Sequence, residues 1–299
     1  MDGLAAPVVG ADRAAVSRAP AGPDHDRGVP FYKLTGSGND FVFFDVRAGR
    51  PALAADASAV AALCARGTGV GADGLVFLDA PEAGLARIIY LNSDGSRAAL
   101  CGNATLCAAR LAVHLGLFAE GETFRIGTDS GALRACVWPG EGPSFELGAV
   151  RGLRVDLGEA PDRTGGEERL GFAAAGVPHV VVRVADVDRV DLGRRGAELR
   201  RATRDRTDGA NVNFVSRATD GSYRMRTFER GVEGETLACG TGAVATAAVL
   251  RAWGDVGDSV RILTRSGQPV VVTHPMAGAG PTLAGEGRLV FEGRLLDWR

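Results

Sequence analysis

The sequence predicts an α/β (α+β) fold of two pseudo-symmetric domains, each a curled β-sheet or barrel around a central helix. Three observations in the 299-residue chain carry this prediction. The same order of strands and helix occurs twice, each copy contains a Cys-Gly step directly before a helix, and small residues follow each cysteine. A helix lined with alanine lets strands pack closely around it, which favours a central position.

In the first copy, apolar and aromatic runs indicate strands, and apolar residues at helical spacing indicate helices. A Ser-Gly pair between two apolar runs indicates a hairpin turn. In order, the predicted elements are the strand "FVFFDV", the helix "SAVAALCARG", the strand "ARIIYLN", the helix "NATLCAARLAVHLGLF" and the hairpin "TFRIGTDSGALRACVW".

In the second copy, runs of valine and aromatic residues again indicate strands, because branched and aromatic side chains are favoured in sheets. A second Ser-Gly pair indicates the closing hairpin. The predicted elements are the strands "VPHVVVRV", "ANVNFVS" and "SYRMRTFE", the helix "TGAVATAAVLRAW" and the hairpin "SVRILTRSGQPVVVTH".

The two copies match at several points in the same order. "GSGNDFVFF" is echoed by "TDGANVNFV", and "FRIGTDSG" by "VRILTRSG". A strand ending at Asn92 precedes Cys101 by nine residues, and one ending at Glu229 precedes Cys239 by ten. An ordered set of matches indicates an internal duplication. We therefore expect the helices that follow Cys101 and Cys239 to begin at one shared cleft.

Composition bounds the class of protein. The contents of 45% apolar and 23% charged residues are typical of a soluble globular protein, and the net charge of −2 argues against nucleic acid as a standing partner. No apolar run reaches the roughly 20 residues that span a bilayer, and no basic run indicates a membrane surface. Residues 1–28 are rich in Ala, Pro, Asp and Arg without a signal-peptide core, which predicts a disordered tail.

Cysteine and lysine usage limit the chemistry further. The five cysteines have no zinc-type spacing, so we expect reduced thiols in a cytoplasmic protein and no metal site. Lys33 is the sole lysine, and we expect it at a strand edge, facing solvent. Pyridoxal phosphate requires a lysine Schiff base, so that cofactor is excluded unless Lys33 serves it. We expect no cofactor.

A cysteine at each of two facing helix starts has a specific use. The first turn of a helix carries unpaired N–H groups and partial positive charge, which lowers a thiol pKa and binds a carboxylate. With Cys101 and Cys239 on opposite faces of an α-carbon, one thiolate could remove the α-proton while the other thiol returns one. This pattern predicts stereoinversion without a cofactor. Cys64, Cys107 and Cys136 have no repeat partner and are expected in the core.

At these residues the sequence resembles the diaminopimelate epimerase family, from about Phe31 to the C-terminus. The motifs are "GSGNDF", "NSDGSRAALCGN", "GVPH", "GANVNF" and "FERGVEGETLACGTG". The resemblance implies the epimerase fold, with a first domain at 29–155, a second at 156–285, and a last strand within 286–299 that returns to the first domain. It implies conversion of LL-2,6-diaminopimelate to the meso form, for lysine and peptidoglycan precursors.

The resemblance also implies a role for each matching residue. Cys101 and Cys239 would be the two bases, and His179 and Glu229 would tune the pKa of the thiols. The α-carboxylate would bind Gly102, Asn103, Gly240 and Thr241, and the rest of the substrate would contact Asn39, Asn92, Asn211, Glu229 and Arg230. The simpler alternatives are a turn residue at Asn92, a core histidine at His179 and an ion pair between Arg230 and Glu229.

Two positions depart from the family pattern. Many members carry asparagine where this chain has Val177, and glutamine where it has Gly74. Both changes affect the distal end of the substrate, so a cofactor-independent racemase of another amino acid is the first alternative. An amino-acid-binding module and a thiol redox protein are the others. The family also implies a homodimer, for which Phe291 in the last strand is a candidate contact.

Overall fold

The computed structural model describes residues 28–51, 56–157, 166–203, 209–274 and 280–296. The predicted tail lies outside these ranges except for Gly28. The first half of the chain contains β1 (Val29–Gly36), β2 (Asn39–Asp45), α1 (Ala57–Cys64), β3 (Gly74–Leu78), β4 (Leu85–Asn92), β5 (Arg97–Ala98), α2 (Gly102–His114), β6 (Thr123–Thr128), β7 (Gly131–Trp138) and β8 (Gly142–Glu146).

The second half repeats this order with one additional strand at its start and one at its end. It contains β9 (Arg151–Arg154), β10 (Glu167–Ala175), β11 (Val177–Val184), a 3-10 turn (Val187–Arg189), α3 (Leu192–Ala202), β12 (Asn211–Arg217), β13 (Tyr223–Glu229), β14 (Gly234–Thr236), α4 (Gly240–Ala252), β15 (Ser259–Leu263), β16 (Pro269–Thr273), β17 (Thr282–Ala284) and β18 (Arg288–Leu295).

The strand pairing shows the pseudo-symmetry directly. One half runs β18-β1-β2-β3-β4-β6-β7-β8, and the other runs β9-β10-β11-β12-β13-β15-β16-β17. The parallel pairs are β2 with β3 and β4 with β6, then β11 with β12 and β13 with β15. The equivalent strands β8 and β17 pair antiparallel and join the halves. The predicted fold class is confirmed, while the domain boundaries stay predictions.

The register corrects one expected match between the copies. Phe41 lies beside Gly74 on the parallel pair of the first half, and His179 lies beside Asn211 on that of the second. β2 is therefore equivalent to β11, and β3 to β12. The predicted equivalence of "GSGNDFVFF" with "TDGANVNFV" is wrong by one strand. The asparagine-hydrophobic pattern that the two stretches share recurs on neighbouring strands, so sequence similarity alone could not assign it.

The helices α2 and α4 form the centre of the two halves. Buried residues occur on all sides of both helices, and their side chains belong to one continuous apolar core. A helix that is apolar on all sides is one that other elements surround. The shorter α1 and α3 each pack on a separate cluster on the outer face of the sheet. This arrangement fixes the direction in which the N-termini of α2 and α4 point.

Candidate active site

Cys101 and Cys239 occupy identical positions at the start of the two central helices. Each is the N-cap residue, with φ −133° and ψ 115° at Cys101 and φ −133° and ψ 104° at Cys239. Neither sulfur makes a standard capping hydrogen bond, although backbone N–H groups of the first turn lie close enough to lower each thiol pKa. The carbonyl of each cysteine accepts the first helical hydrogen bond instead. Both thiols are thereby held in extended backbone at a helix N-terminus.

The two helix N-termini meet. A methyl group added at Gly102 would lie 3.7 Å from the Cα of Gly240, and one added at Gly240 would lie 3.8 Å from the Cα of Gly102. Glycine at both positions therefore lets the first turns of α2 and α4 approach within van der Waals contact. The unpaired N–H groups and the positive ends of both helix dipoles converge on one place. An anion placed there would be bound from both sides.

Burial controls the protonation of both thiols. Burial, together with the smaller effect of the negative charge of Glu229, raises the pKa of Cys101 to about 11 and that of Cys239 to about 12. Backbone N–H groups of the first helical turn lower each pKa but do not compensate. The expected lowering of the thiol pKa is therefore wrong for the cleft in this form. The backbone N–H groups act in the expected direction, but loss of solvent outweighs them.

Glu229 lies in the same cleft at the end of β13. Burial raises the pKa of its carboxyl group, and the neighbouring Thr236 hydroxyl opposes that effect. The negative charge of Glu229 raises the pKa of both cysteine thiols, so Glu229 lies within electrostatic range of the cysteines of both halves. Arg230 does not pair with it among the described residues. The guanidinium of Arg230 donates to the carbonyl of Gly209 over 3.4 Å, so the ion-pair alternative is wrong.

His179 reaches Cys239 through one hydroxyl group. Its Nε2 lies 3.2 Å from Thr241 Oγ1, which in turn lies 3.6 Å from Cys239 Sγ. The imidazole is fully buried, and burial, followed by the charge of Arg230, lowers its pKa to about 3. It is therefore neutral at physiological pH. The histidine is a satisfied core residue and is also hydrogen-bonded toward the thiol, so the two expectations for it do not exclude each other.

On the other side, asparagine side chains connect the first turn of α2 to the sheet. Asn103 Nδ2 donates to Asn39 Oδ1 over 2.7 Å, and Asn39 Nδ2 donates to Asp73 over 2.9 Å. These bonds fix the direction of both amides. The Oδ1 atom of Asn103 is buried and has no hydrogen-bond partner among the described residues. A buried unpaired acceptor costs free energy unless a ligand satisfies it.

A charged network behind Asn39 corrects the prediction for Lys33. Lys33 is buried, with 7% of its surface exposed, and its Nζ donates to Asp40 over 2.6 Å and to the carbonyl of Gly71. Arg66 bridges Asp40 and Asp73. Lys33 is not at an edge, because β18 pairs with the outer side of β1. The buried Lys33 and the exposed Arg66 together balance the charges of Asp40 and Asp73, and Asp73 is thereby held against Asn39.

The remaining predicted contacts differ in how directly they face the cleft. Asn211 is buried at the start of β12, and its Oδ1 accepts from the backbone N–H of Arg230 over 2.8 Å. Asn211 therefore positions the residue that follows Glu229. Asn92 ends β4, and its Nδ2 donates to Ser96 Oγ over 2.9 Å within the turn to β5. This bond agrees with the turn-residue alternative and leaves the Oδ1 of Asn92 for a ligand.

The structure shows where each of the two departures from the family pattern, Gly74 and Val177, lies. A Cβ at Gly74 would lie 2.5 Å from the ring of Tyr90 and 2.6 Å from a backbone oxygen, so Tyr90 fills the space where a side chain at position 74 would lie. The pKa of the Tyr90 phenol is raised, first by burial and then by the nearby Cys101. Val177 takes the position equivalent to Asn39 in the register of the two halves.

Sequence reasoning missed Tyr90, Asp73 and Asn213. Tyr90 and Asn213 had a usable signal, because each lies two residues from a predicted site residue on the same strand, and alternate residues face the same side of a sheet. The three remaining cysteines are free and buried, as expected for core residues. The described residues contain no group of three His, Cys, Asp or Glu side chains that could hold a metal ion. Within the same ranges, no helix has the length and apolarity needed to cross a membrane.

Comparison with known proteins places this site in a family. The sequence model of the family "Diaminopimelate epimerase" matches residues 31–151 and 171–286. The chain belongs to the diaminopimelate epimerase family. A diaminopimelate epimerase from Gemmatimonas aurantiaca is 47% identical over 279 residues, covering 89% of this chain and 99% of the relative. One from Aquifex aeolicus is 38% identical over 284 residues, covering 90% of this chain and 98% of the relative.

Solved structures share the fold at low sequence identity. A phenazine biosynthesis protein of the PhzF family from Bacillus anthracis has a TM-score of 0.70 and 15% identity, covering 91% of this chain and all of that one. A hydroxyproline epimerase from Agrobacterium vitis, with bound trans-4-hydroxy-L-proline, has a TM-score of 0.64 and 19% identity, covering 90% and 93% of the two chains. The duplicated architecture is therefore shared with proteins whose sequences have diverged widely.

Proposed function

We propose that this protein is an isomerase that converts LL-2,6-diaminopimelate to meso-diaminopimelate, a step that supplies lysine and peptidoglycan precursors. Family membership supports the substrate, and one observation carries the mechanism. Two cysteines with the same backbone conformation start two helices whose first turns touch at Gly102 and Gly240. This geometry suits a reaction in which one sulfur lies on each face of a carbon atom whose carboxylate is held between the helices.

The α-carboxylate would bind the backbone N–H groups at Gly102, Asn103, Gly240 and Thr241. These groups belong to the unpaired donors of the two first turns, and they would also stabilise the charge that builds up on the carboxylate as the α-proton leaves. One sulfur takes the α-proton as a thiolate, and the other gives its thiol proton to the opposite face of the carbon. The two cysteines then exchange protonation states, and solvent restores the starting state.

The raised thiol pKa values give the substrate a second role. Neither Cys101 nor Cys239 ionises readily in the buried cleft, where the charge of Glu229 opposes a thiolate. An incoming α-ammonium group would bring a positive charge next to both sulfurs and Glu229. Opposite charge within a few ångströms favours the ionised form of a thiol. Glu229 and His179 therefore tune the thiols, and the thiolate forms when substrate is present rather than at rest.

The groups farther from the two sulfurs would hold the distal end of the substrate. Arg230 carries a guanidinium whose only described bond is a long one to a backbone carbonyl, so it is available to bind a second carboxylate bidentately. Asn211 orients the backbone of Arg230. Asn39 and Asn92 would complete this side of the cleft, and Tyr90 occupies the space left by Gly74.

Substrate selectivity tests this proposal. The reduced enzyme is incubated separately with LL-diaminopimelate and with each standard L-amino acid, and the stereoisomers are separated by chiral chromatography. We expect meso-diaminopimelate, at a kcat/KM at least about 100-fold above that for any standard amino acid, since the loss of a bidentate charged contact costs a factor of this size. A higher kcat/KM for a standard amino acid would assign the protein to racemisation of that amino acid.

We also propose a cytoplasmic homodimer that forms through β18. Among the described residues this strand pairs only with β1, and it exposes Val290 and Phe291, with the exposed Leu296 directly after it. The Phe291 ring packs edge-on against Phe31, which holds it at the surface. A second copy would cover this apolar edge, and a reducing compartment would keep the two cleft thiols active. Sedimentation of the wild type and of Phe291→Glu tests this, and a wild-type monomer at micromolar concentration would contradict it.

A further inference from the structure

A line of buried polar side chains leads from the sheet to the sulfur of Cys239. Thr227 Oγ1 donates to Asn213 Oδ1 over 3.0 Å, and Asn213 Nδ2 lies 3.1 Å from His179 Nδ1. The line continues from His179 Nε2 through the Thr241 hydroxyl to Cys239, as described above. Asn213, His179 and Thr227 are almost completely buried, so no solvent competes for these bonds.

The direction of every hydrogen bond in this line follows from one backbone atom. Asn213 Nδ2 also contacts the carbonyl oxygen of Val180 over 3.3 Å, and a carbonyl can only accept. The amide nitrogen must therefore lie on that side, where it donates to His179 Nδ1. With Nδ1 accepting, the proton of the neutral imidazole is on Nε2, which donates to Thr241 Oγ1. The Thr241 hydroxyl then has its own proton available for the sulfur of Cys239.

The other half has no counterpart to this line. Asn213 pairs with Thr227 across β12 and β13, and the equivalent pair on β3 and β4 is Val76 with Tyr90. The position equivalent to His179 is Phe41. The polar chain behind Cys239 is thus replaced, behind Cys101, by Phe41, Val76 and the single phenol hydroxyl of Tyr90. The pseudo-symmetric fold contains two chemically different thiol environments.

Glycine at position 242 makes room for the amide. A Cβ at Gly242 would lie 2.5 Å from Asn213 Oδ1 and 3.2 Å from Cys239 Sγ. Asn213 therefore packs directly against the turn of α4 that carries the cysteine, and no larger residue fits between them. The contact ties the position of the amide to that of the thiol.

We propose that Asn213 is a positioning residue, which fixes the Nε2–H tautomer of His179 so that Thr241 donates a hydrogen bond to Cys239 and stabilises its thiolate selectively. The inference rests on the proposed two-base reaction for its purpose, but its geometry does not depend on the substrate. In this proposal, different hydrogen-bond donors stabilise the thiolates of the two cysteines. Cys239 receives an oriented side-chain donor chain, while Cys101 relies on backbone N–H groups and the Tyr90 phenol.

The tautomer is measured first, by ¹⁵N NMR of protein labelled at histidine. The chain has four histidines, and the His179 signals are identified by their loss in His179→Gln. We expect a neutral ring with the proton on Nε2. In Asn213→Asp the carboxylate accepts from the ring, so the proton moves to Nδ1. A wild-type Nδ1–H tautomer, or an unchanged tautomer in Asn213→Asp, would overturn the proposal.

The effect on the thiol is measured by alkylation without substrate. In Thr241→Val, loss of the donor reduces the thiolate fraction at Cys239 about tenfold, and the greater nucleophilicity of the more basic thiolate recovers about threefold. We therefore expect Cys239 to react with iodoacetamide about threefold more slowly than in the wild type, with Cys101 changed by less than that. Asn213→Asp should slow Cys239 at least as much. Equal slowing of both cysteines, or of neither, would overturn the selective role.

Controls separate this result from a general loss of structure. Thr246→Val removes a buried hydroxyl from the same helix, where it contacts Met225 Sδ rather than the cleft. It should leave both alkylation rates and the His179 tautomer unchanged. Thr241→Val should keep the His179 tautomer while slowing Cys239, because it interrupts the line after the imidazole. Since neither readout involves turnover, a failure of the proposed reaction would leave both expectations intact, and the two failures are distinguishable.

Discussion

Alkylation of the two cleft thiols is expected to accelerate steeply with pH in the absence of substrate. Burial raises the pKa of Cys101 to about 11 and that of Cys239 to about 12. A thiol with a pKa of about 11 has about 90 times more thiolate at pH 10 than at pH 8, whereas one with an ordinary pKa of about 8.5 gains only about fourfold. Comparing one thiol with itself at two pH values cancels its intrinsic nucleophilicity.

The assay measures iodoacetamide incorporation between pH 7 and pH 10 by mass spectrometry of tryptic peptides, with circular dichroism to verify the fold at each pH. Cleavage after Arg97 and Arg110 gives a peptide that contains both Cys101 and Cys107. Cys107 is fully buried in the core and its pKa is raised well above the ordinary value, so it is an internal control for unfolding. A rate that levels off near pH 7 would refute the reasoning, because it would show that the helix dipole outweighs burial.

A charge variant tests the cause of the raised values. Glu229→Gln removes a negative charge that raises both thiol pKa values, so both cysteines should react faster at pH 8 than in the wild type. Glu292→Gln is the matched control, since this glutamate is exposed on β18 and pairs with His114 away from the cleft. Faster reaction in both variants, or in neither, would show that Glu229 does not act on the thiols.

Three further predictions concern catalysis and stability. Cys101→Ala and Cys239→Ala should each lower kcat about 10³-fold or more, because each removes a general base or acid. Cys136→Ala on β7 is the control and should leave kcat unchanged. Equal activity in all three variants would exclude the two-base mechanism. Lys33→Met should lower the free energy of unfolding by about 2 kcal/mol in urea titrations, since it breaks the buried ion pair with Asp40 but keeps the ion pair between Arg66 and Asp40. Unchanged stability would contradict a stabilising role for the Lys33–Asp40 pair. Burial alone would raise the pKa of Asp40, but hydrogen bonds from Arg66 and Lys33 lower it overall. The stability that Asp40 supplies is therefore present above its unfolded pKa of about 3.9 and is lost as pH falls through its lower folded pKa. The loss of unfolding free energy below about pH 4 should be smaller in Asp40→Asn than in the wild type. Parallel curves of stability against pH for the two proteins would oppose this assignment.

The sequence predicted the elements that carry their own local pattern. The strands that end at Asn92 and Glu229 and the helices that start after Cys101 and Cys239 are where the periodicity and the Cys-Gly steps indicated. α3 was missed, although Leu192, Gly196 and Leu199 are buried at helical spacing, because its arginines obscure a narrow apolar face. Gly196 faces Phe228, where a Cβ would lie only 2.6 Å from the Phe228 Cβ.

Long-range pairing explains what the sequence could not predict. Lys33 is buried because β18, more than 250 residues later in the chain, covers the far side of β1. The raised pKa of each thiol depends on how completely the two halves enclose it, which no local pattern reports. The orientation of Asn213 depends on the carbonyl of Val180 on the neighbouring strand. In each case a residue's type was visible in the sequence, but its partner came from the tertiary fold.

The most direct test of the account is turnover of LL-diaminopimelate in heavy water by the reduced enzyme without added cofactor. We predict meso-diaminopimelate in which the inverted α-carbon carries deuterium from solvent, because the thiol that returns the proton has exchanged with water. The Cys101→Ala and Cys239→Ala variants should form no such product. Meso product that retains the original α-hydrogen would contradict transfer between two thiols on opposite faces of the carbon.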